Sequence, residues 1–255
     1  MRLTCILLLI SLVAVVPRTF GQTAQRLSEG QVDLLELHEQ AVLLAKARRY
    51  EEAVATFREV LRREPRRSEF HKNLGAAYLN WSRPGDALKP LRQALKLKPD
   101  CGECHFYLAV ANTELGRHAE ATRAYEDALR NGWSSADLYS NLGWSYYLNR
   151  QRKNALKSLQ LAASLAPDDY KILNNLGVVY AGMGRYDEAA KTLRKVLLLQ
   201  PALALPRYNL GWVYVAQNDR TSALEQYGIL KTHAPELSSD LYKRIYRNFL
   251  IAVEK

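Results

Sequence analysis

Apolar positions in this chain recur with two periods at once. Within short stretches they fall at helical spacing, as in Val32, Leu35, Leu43 and Leu44 between Gln31 and Arg48, and again across Tyr50–Arg63. Over longer distances the pattern repeats every 34 residues without insertion or deletion. Leu74, Leu108, Leu142, Leu176 and Leu210 share one phase, and Ala53, Ala87, Ala121, Ala155, Ala189 and Ala223 share another. A fixed 34-residue period predicts a solenoid of helix pairs, each helix about 13–15 residues long. The fold class expected is therefore all-α, with antiparallel helix pairs stacked into an α-solenoid.

Breaks between helices are legible in the same way. Pro65, Pro99, Pro167, Pro201 and Pro235 close successive units at one phase, because the residue before a proline is disfavoured in a helix. One unit has Trp133 instead, and Asn131-Gly132 supplies its break. Within units the turn carries Arg48-Arg49, Ser82-Arg83-Pro84-Gly85, Gly116-Arg117, Arg150-Gln151, Gly184-Arg185 or Asn218-Asp219. Gly75, Ala109, Gly143, Gly177 and Gly211 form a small-residue column that lets paired helices approach closely. Tyr78, Tyr146, Tyr180 and Tyr214 form an aromatic column one turn later. Phe57, Leu91, Tyr125, Leu159, Leu193 and Tyr227 answer from the second helices. Pro90, inside an expected second helix, removes one backbone donor and should bend or loosen it.

The combination L-G-x-x-Y, then A-x-x-x-F-x-x-A, then P, resembles the tetratricopeptide repeat family over six units, Leu34–Leu237, or 204 of 255 residues. The first unit departs most, with Gln40 and Ala41 where later units have Leu-Gly, and is expected to be an N-terminal cap. Ser238–Lys255 holds a further amphipathic stretch (Leu241, Ile245, Phe249, Leu250). The resemblance implies that it covers the last apolar face as a capping helix.

Ahead of the repeats, Met1–Gly21 reads as a secretory signal peptide. Arg2 precedes the 14-residue apolar run Leu3–Val16, Pro17 ends it, and Thr19-Phe20-Gly21 offers small residues before Gln22. That run is shorter than the roughly 18–20 residues of a spanning helix. Export to the periplasm or medium is the expectation, with an uncleaved anchor as the alternative and no integral span after cleavage. Residues 22–33 form a polar lead-in and the start of the first helix. The formal charge of +10 falls to +8 without Arg2 and Arg18. Charge of this size speaks to partners and not to fold. The basic cluster Arg62-Arg63-Glu64-Pro65-Arg66-Arg67 lacks interleaved aromatics, and no nucleic-acid partner is expected.

The resemblance also implies a right-handed superhelix in which the first helices line a concave groove. Asn73, Asn141, Asn175 and Asn209 share one phase there, and side-chain amides offer donors and acceptors to an extended peptide backbone. Capping of local backbone groups, or simple exposure to water, is the competing account of these amides. Lys72, Asn174, Tyr208, Trp144 and Trp212 lie on the same or adjacent columns, as do Phe106 and Tyr107 in the unit without the asparagine. Inter-repeat packing is the preferred role for Trp144 and Trp212. A clamp for a partner's two terminal carboxylates is not expected, since Ala76 and Tyr107 break the pattern that the resemblance requires. The partner is a protein or peptide whose identity the residues do not reveal.

One motif offers a different class. Cys101-Gly102-Glu103-Cys104-His105 matches C-x-x-C-H, the attachment sequence of c-type haem. His71, at the phase of His105, is the corresponding distal-ligand candidate, and Met183 lies two units away. Against haem stands the uninterrupted 34-residue register, which leaves no room for a porphyrin. The same pair at a helix start could instead act as a redox-active disulfide, but the βαβ context is missing. A structural disulfide or two free thiols is therefore preferred in an oxidising compartment, and no cofactor is expected. A Ser-His-Asp arrangement, a phosphate-binding glycine loop and HExxH are all missing from the sequence. No catalytic residue and no metal site is assigned, and the expectation is a non-enzymatic scaffold.

Overall fold

The computed structural model describes residues 33–253, and the regular elements among them are all α-helices. The expected signal peptide and residues 22–32 of the lead-in lie outside the described residues. Helices come in pairs of 13–14 residues: α1 (33–46) with α2 (Tyr50–Arg63), α3 (Ser68–Asn80) with α4 (Pro84–Leu97), α5 (Gly102–Glu114) with α6 (His118–Arg130), α7 (Ala136–Leu148) with α8 (Arg152–Leu165), α9 (Tyr170–Gly182) with α10 (Tyr186–Leu199), and α11 (Ala204–Ala216) with α12 (Arg220–His233). A longer α13 (Pro235–Val253) ends the series. This is an all-α solenoid of antiparallel pairs.

The chain divides into two compact units at Arg66. In the first, α1 buries Leu34, His38 and Ala41 while α2 buries Ala53, Val54, Phe57 and Val60. His38 meets Phe57 edge-on at 5.8 Å, and Arg63 pairs with Asp33 at 2.5 Å.

In the second unit the small-residue column works by close approach. A Cβ on Gly177 would lie 2.8 Å from Leu193 Cγ, and one on Gly143 would lie 2.7 Å from Leu159 Cγ. Only hydrogen fits there, so the helices pack more closely than any larger residue allows. Gly211 differs, since its nearest neighbour is Leu241 of α13 at 2.5 Å. The last helix thus enters the core with Leu241 and Ile245 both buried, and it begins at Pro235, earlier than the amphipathic stretch suggested. Helix α4 runs through the buried Pro90 without interruption.

All six intra-pair turns share one backbone device. Arg48, Ser82, Gly116, Arg150, Gly184 and Asn218 have positive φ, between 56° and 74°. Each first helix then closes with a five-to-two and a six-to-one bond. Gly184 N–H donates to Ala181 O and Arg185 N–H to Tyr180 O in one turn, and Arg150 to Tyr147 and Gln151 to Tyr146 in another. This is the Schellman arrangement, which satisfies the last orphan carbonyls of the helix. Gly132 (φ 76°) repeats it after α6, with Trp133 N–H on Ala128 O, in the unit that lacks the proline.

Candidate functional site along the first helices

Residues expected to line the groove separate into three groups. The first has been taken up by packing and pairing around α5. Lys72 reaches Glu103 at 2.6 Å, with side chains only 18% and 28% exposed, so its charge is already matched. Burial pushes the Tyr107 phenol up to about 12, and the neighbouring Glu103 carboxylate adds to the effect. Phe106 turns toward Tyr125 and Trp133, at 6.0 and 6.4 Å, beside the core of its own helix pair. Asn73 is half-buried at the corresponding phase of α3.

Glu103 sits between two cysteines that the structure joins. Cys101 and Cys104 form a disulfide with Cα atoms 5.2 Å apart, and Cys101 Sγ accepts the Cys104 N–H at 3.2 Å as the cap of α5. His105 Nε2 lies 3.0 Å from Pro99 O. A c-type haem does not fit this arrangement. Both sulfurs are consumed by their mutual bond, Cys104 is fully buried, and the imidazole nitrogen is engaged with backbone.

The second group stays available. Asn141 and Asn175 are half-buried, and no side-chain hydrogen bond joins either to another described residue. Trp144 stacks on Tyr147 of its own helix, ring centroids 5.3 Å apart. Local backbone bonding therefore does not occupy these two amides.

The third group forms a connected structure between α9, α11 and α13. Asn209 Nδ2 donates to Asn174 Oδ1 at 3.1 Å across adjacent repeats. Tyr208 donates to Asp240 at 2.5 Å, and Arg244 donates to the same carboxylate at 2.6 Å. Burial raises the Tyr208 pKa and the bond to Asp240 adds to it, while Arg244 and then Tyr208 hold Asp240 below its ordinary value. Trp212 meets Tyr186 of the preceding repeat edge-on at 6.4 Å, a packing role, yet its ring also lines a cleft. That cleft, about 240 Å³, has walls from Tyr147, Val178, Gly182, Asn209, Trp212 and Arg244. A second, about 510 Å³, shares Trp212 and Arg244 and adds Lys243 and Arg247.

Tyr147, Gly182 and the α13 cations escaped the sequence reading. Gly182 was detectable, because the other units carry larger residues at that phase (Lys46, Asn80, Glu114, Leu148, Ala216); a Cβ there would lie 2.7 Å from Tyr147 Oη. The α13 residues lie beyond the last full period, where column comparison gives no guidance. Among the described residues no cluster of three or more metal-ligating side chains occurs, and no helix is long and apolar enough to cross a membrane.

Family profiles of the tetratricopeptide repeat match 38–87, 77–136, 136–169 and 168–228. Over 142 residues the chain is 30% identical to the type IV pilus assembly protein PilF of Pseudomonas aeruginosa, covering 54% of this chain and 56% of that one. The chain spans about half or less of the length of the curated relatives it matches. The crystal structure of YrrB, described as a tetratricopeptide repeat protein with an unusual peptide-binding site, superposes with a TM-score of 0.64 at 25% identity, covering 73% of this chain and 97% of that one. The type IV pilus biogenesis factor PilW superposes with a TM-score of 0.74 at 19% identity, covering 82% and 98%, a likeness of fold. Period, turn geometry, helix packing and profile matches agree, and the chain belongs to the tetratricopeptide repeat family.

Proposed function

We propose that this protein is a non-enzymatic, exported interaction scaffold that holds an extended segment of a partner protein along α7, α9 and α11, up to α13. The observation that carries the reading is the pair of half-buried, unbonded amides Asn141 and Asn175, in phase with Asn209 beside the Trp212 cleft. Two amides one repeat apart can each exchange a donor and an acceptor with a peptide backbone, which gives affinity with little sequence preference. Trp212 and Tyr147 then offer apolar surface for a side chain of that segment. Repeat scaffolds named for type IV pilus assembly and for peptide binding are among the relatives, which supports a protein or peptide partner.

The test is a panel of peptides selected from a random library on the full chain. Replacing Asn141, Asn175 and Asn209 together with Ala should weaken the selected peptides about tenfold or more, since each lost hydrogen bond is worth roughly 0.5–1.5 kcal/mol. Helicity should stay unchanged by circular dichroism. Unaltered affinity in the folded triple variant rejects the groove.

A further inference from the structure

The aromatic column identified in the sequence is interrupted inside the second unit, and the interruption lies apart from the groove. Tyr78, Tyr146, Tyr180 and Tyr214 occupy one phase, but α5 has Asn112 there. Its side chain is 5% exposed and turns back on its own helix, donating to Leu108 O at 3.0 Å.

The other repeats show what normally surrounds the ring. Tyr146 donates to Glu126 of the preceding second helix at 2.6 Å, and Tyr180 accepts from Gln160, the residue one period later, at 3.1 Å. One period before Glu126 stands Arg92. In two of the four repeats that carry the ring a cation also covers it from the intra-pair turn, Arg83 over Tyr78 at 5.8 Å and Arg185 over Tyr180 at 4.8 Å, while Gln151 and Asp219 hold that phase in the other two. The residue at that phase in the third repeat is Arg117. The groups that elsewhere hold a phenol by its hydroxyl and by its face are thus both arginines here, with no ring between them.

A cleft of about 350 Å³ lies at this place, lined by Asn112, Arg92, Arg117, Arg123, Glu120 and Asp127 among others. None of the three arginines forms an ion pair with another described residue, whereas Asp127 is engaged by Arg130. Glu120 is the one acid left to face three guanidinium groups, and the balance favours an anion.

We propose that this cleft binds an aromatic ring carrying an anionic oxygen group. The ring lies beneath Arg117 in the cation–π position that Arg185 takes over Tyr180, and the oxygens reach Arg92 and Arg123. The site shares no residue with the peptide groove, so it stands or falls independently of it.

The experiment is saturation-transfer NMR on the full-length protein with phenyl phosphate, inorganic phosphate and benzylamine as probes. Phenyl phosphate should bind about tenfold or more tightly than either control, because each control lacks the ring–cation or the anion–guanidinium contact. Asn112→Tyr restores the column and should abolish the signal with helicity intact. Arg92→Glu, at an exposed position, gives a second variant with the same expected loss. Binding of phenyl phosphate that survives Asn112→Tyr or Arg92→Glu in the folded protein overturns the proposal, as does equal binding of all three probes. Phenyl phosphate compared with N-acetyl-phosphotyrosine amide tells a free aromatic acid from a partner's side chain, the amide binding more tightly if the ring belongs to a chain.

Discussion

The third and fifth repeats have the same length and the same two helices, yet they solve the same local problems with different residues. In the fifth, Asp169 caps α9 by accepting the N–H groups of Lys171 and Ile172 at 2.8 and 3.2 Å, Asn175 keeps its amide unbonded, Gly177 admits Leu193, and Tyr180 completes the aromatic column. In the third, a disulfide sulfur caps α5, Tyr107 replaces the asparagine, Ala109 replaces the glycine opposite the larger Tyr125, and Asn112 replaces the tyrosine. Among the repeats of the second compact unit, departures from the pattern are concentrated in the third. The lesson is that the 34-residue frame, with its alanine and leucine columns kept, tolerates exchange at several other columns when each exchange is answered locally, and that a specialised repeat is recognised by several answered exchanges together.

The largest test of this contrast is in the cores. Leu193→Ala removes a fully buried side chain that fills the space beside Gly177, and should cost about 2–5 kcal/mol by chemical denaturation. The third repeat buries Tyr125 at that phase, its hydroxyl 3.3 Å from that of Thr113. Tyr125→Phe keeps the ring and should cost only about 0.5–1.5 kcal/mol. Equal losses at the two positions would break the comparison.

Helix starts come next in size. Replacing Cys101 and Cys104 together with Ser frees a short loop and should cost about 1–2 kcal/mol. Asp169→Ala removes a cap worth roughly 1 kcal/mol. A reducing agent should reproduce the first loss and leave the second untouched.

The last effect is alkaline and shows only above about pH 10. The Tyr107 pKa is raised above its unfolded value to about 12, so the folded state holds its proton more tightly. The corresponding stabilisation is complete below about pH 10 and is lost as pH rises from about 10 to 12. Tyr107→Phe should flatten the fall in melting temperature across that window. An unchanged slope would remove the phenol from the account.

Helices, turns and the glycine column were legible because they answer to spacing alone, and six identical turns follow from a strict period. Partnerships across repeats were less so. Lys72 has the residue type of a groove cation, but Glu103, 31 residues on, occupies it. Asn174 and Asn209 were both expected on the groove, and their bond to each other required knowing how far one repeat rotates against the next. Asp240 and Arg244 lie past the last period, where nothing in the pattern says which face of α13 meets Tyr208. The break at Asn112 was visible in the columns, but its meaning depended on the cations that cover tyrosines elsewhere.

Within the second unit, every contacting helix pair from α3 to α13 is at most two helices apart in the chain. Each first helix is also followed by a residue in the same left-handed conformation, with the same closing bonds. Under tension applied through its ends, such an array has no distant clasp to hold it shut. It should give way as a zip does, tooth by tooth from the weaker end, and re-engage in the same register when the load is released. Extension would then be absorbed in similar steps, one repeat at a time, while the remaining repeats keep their packing.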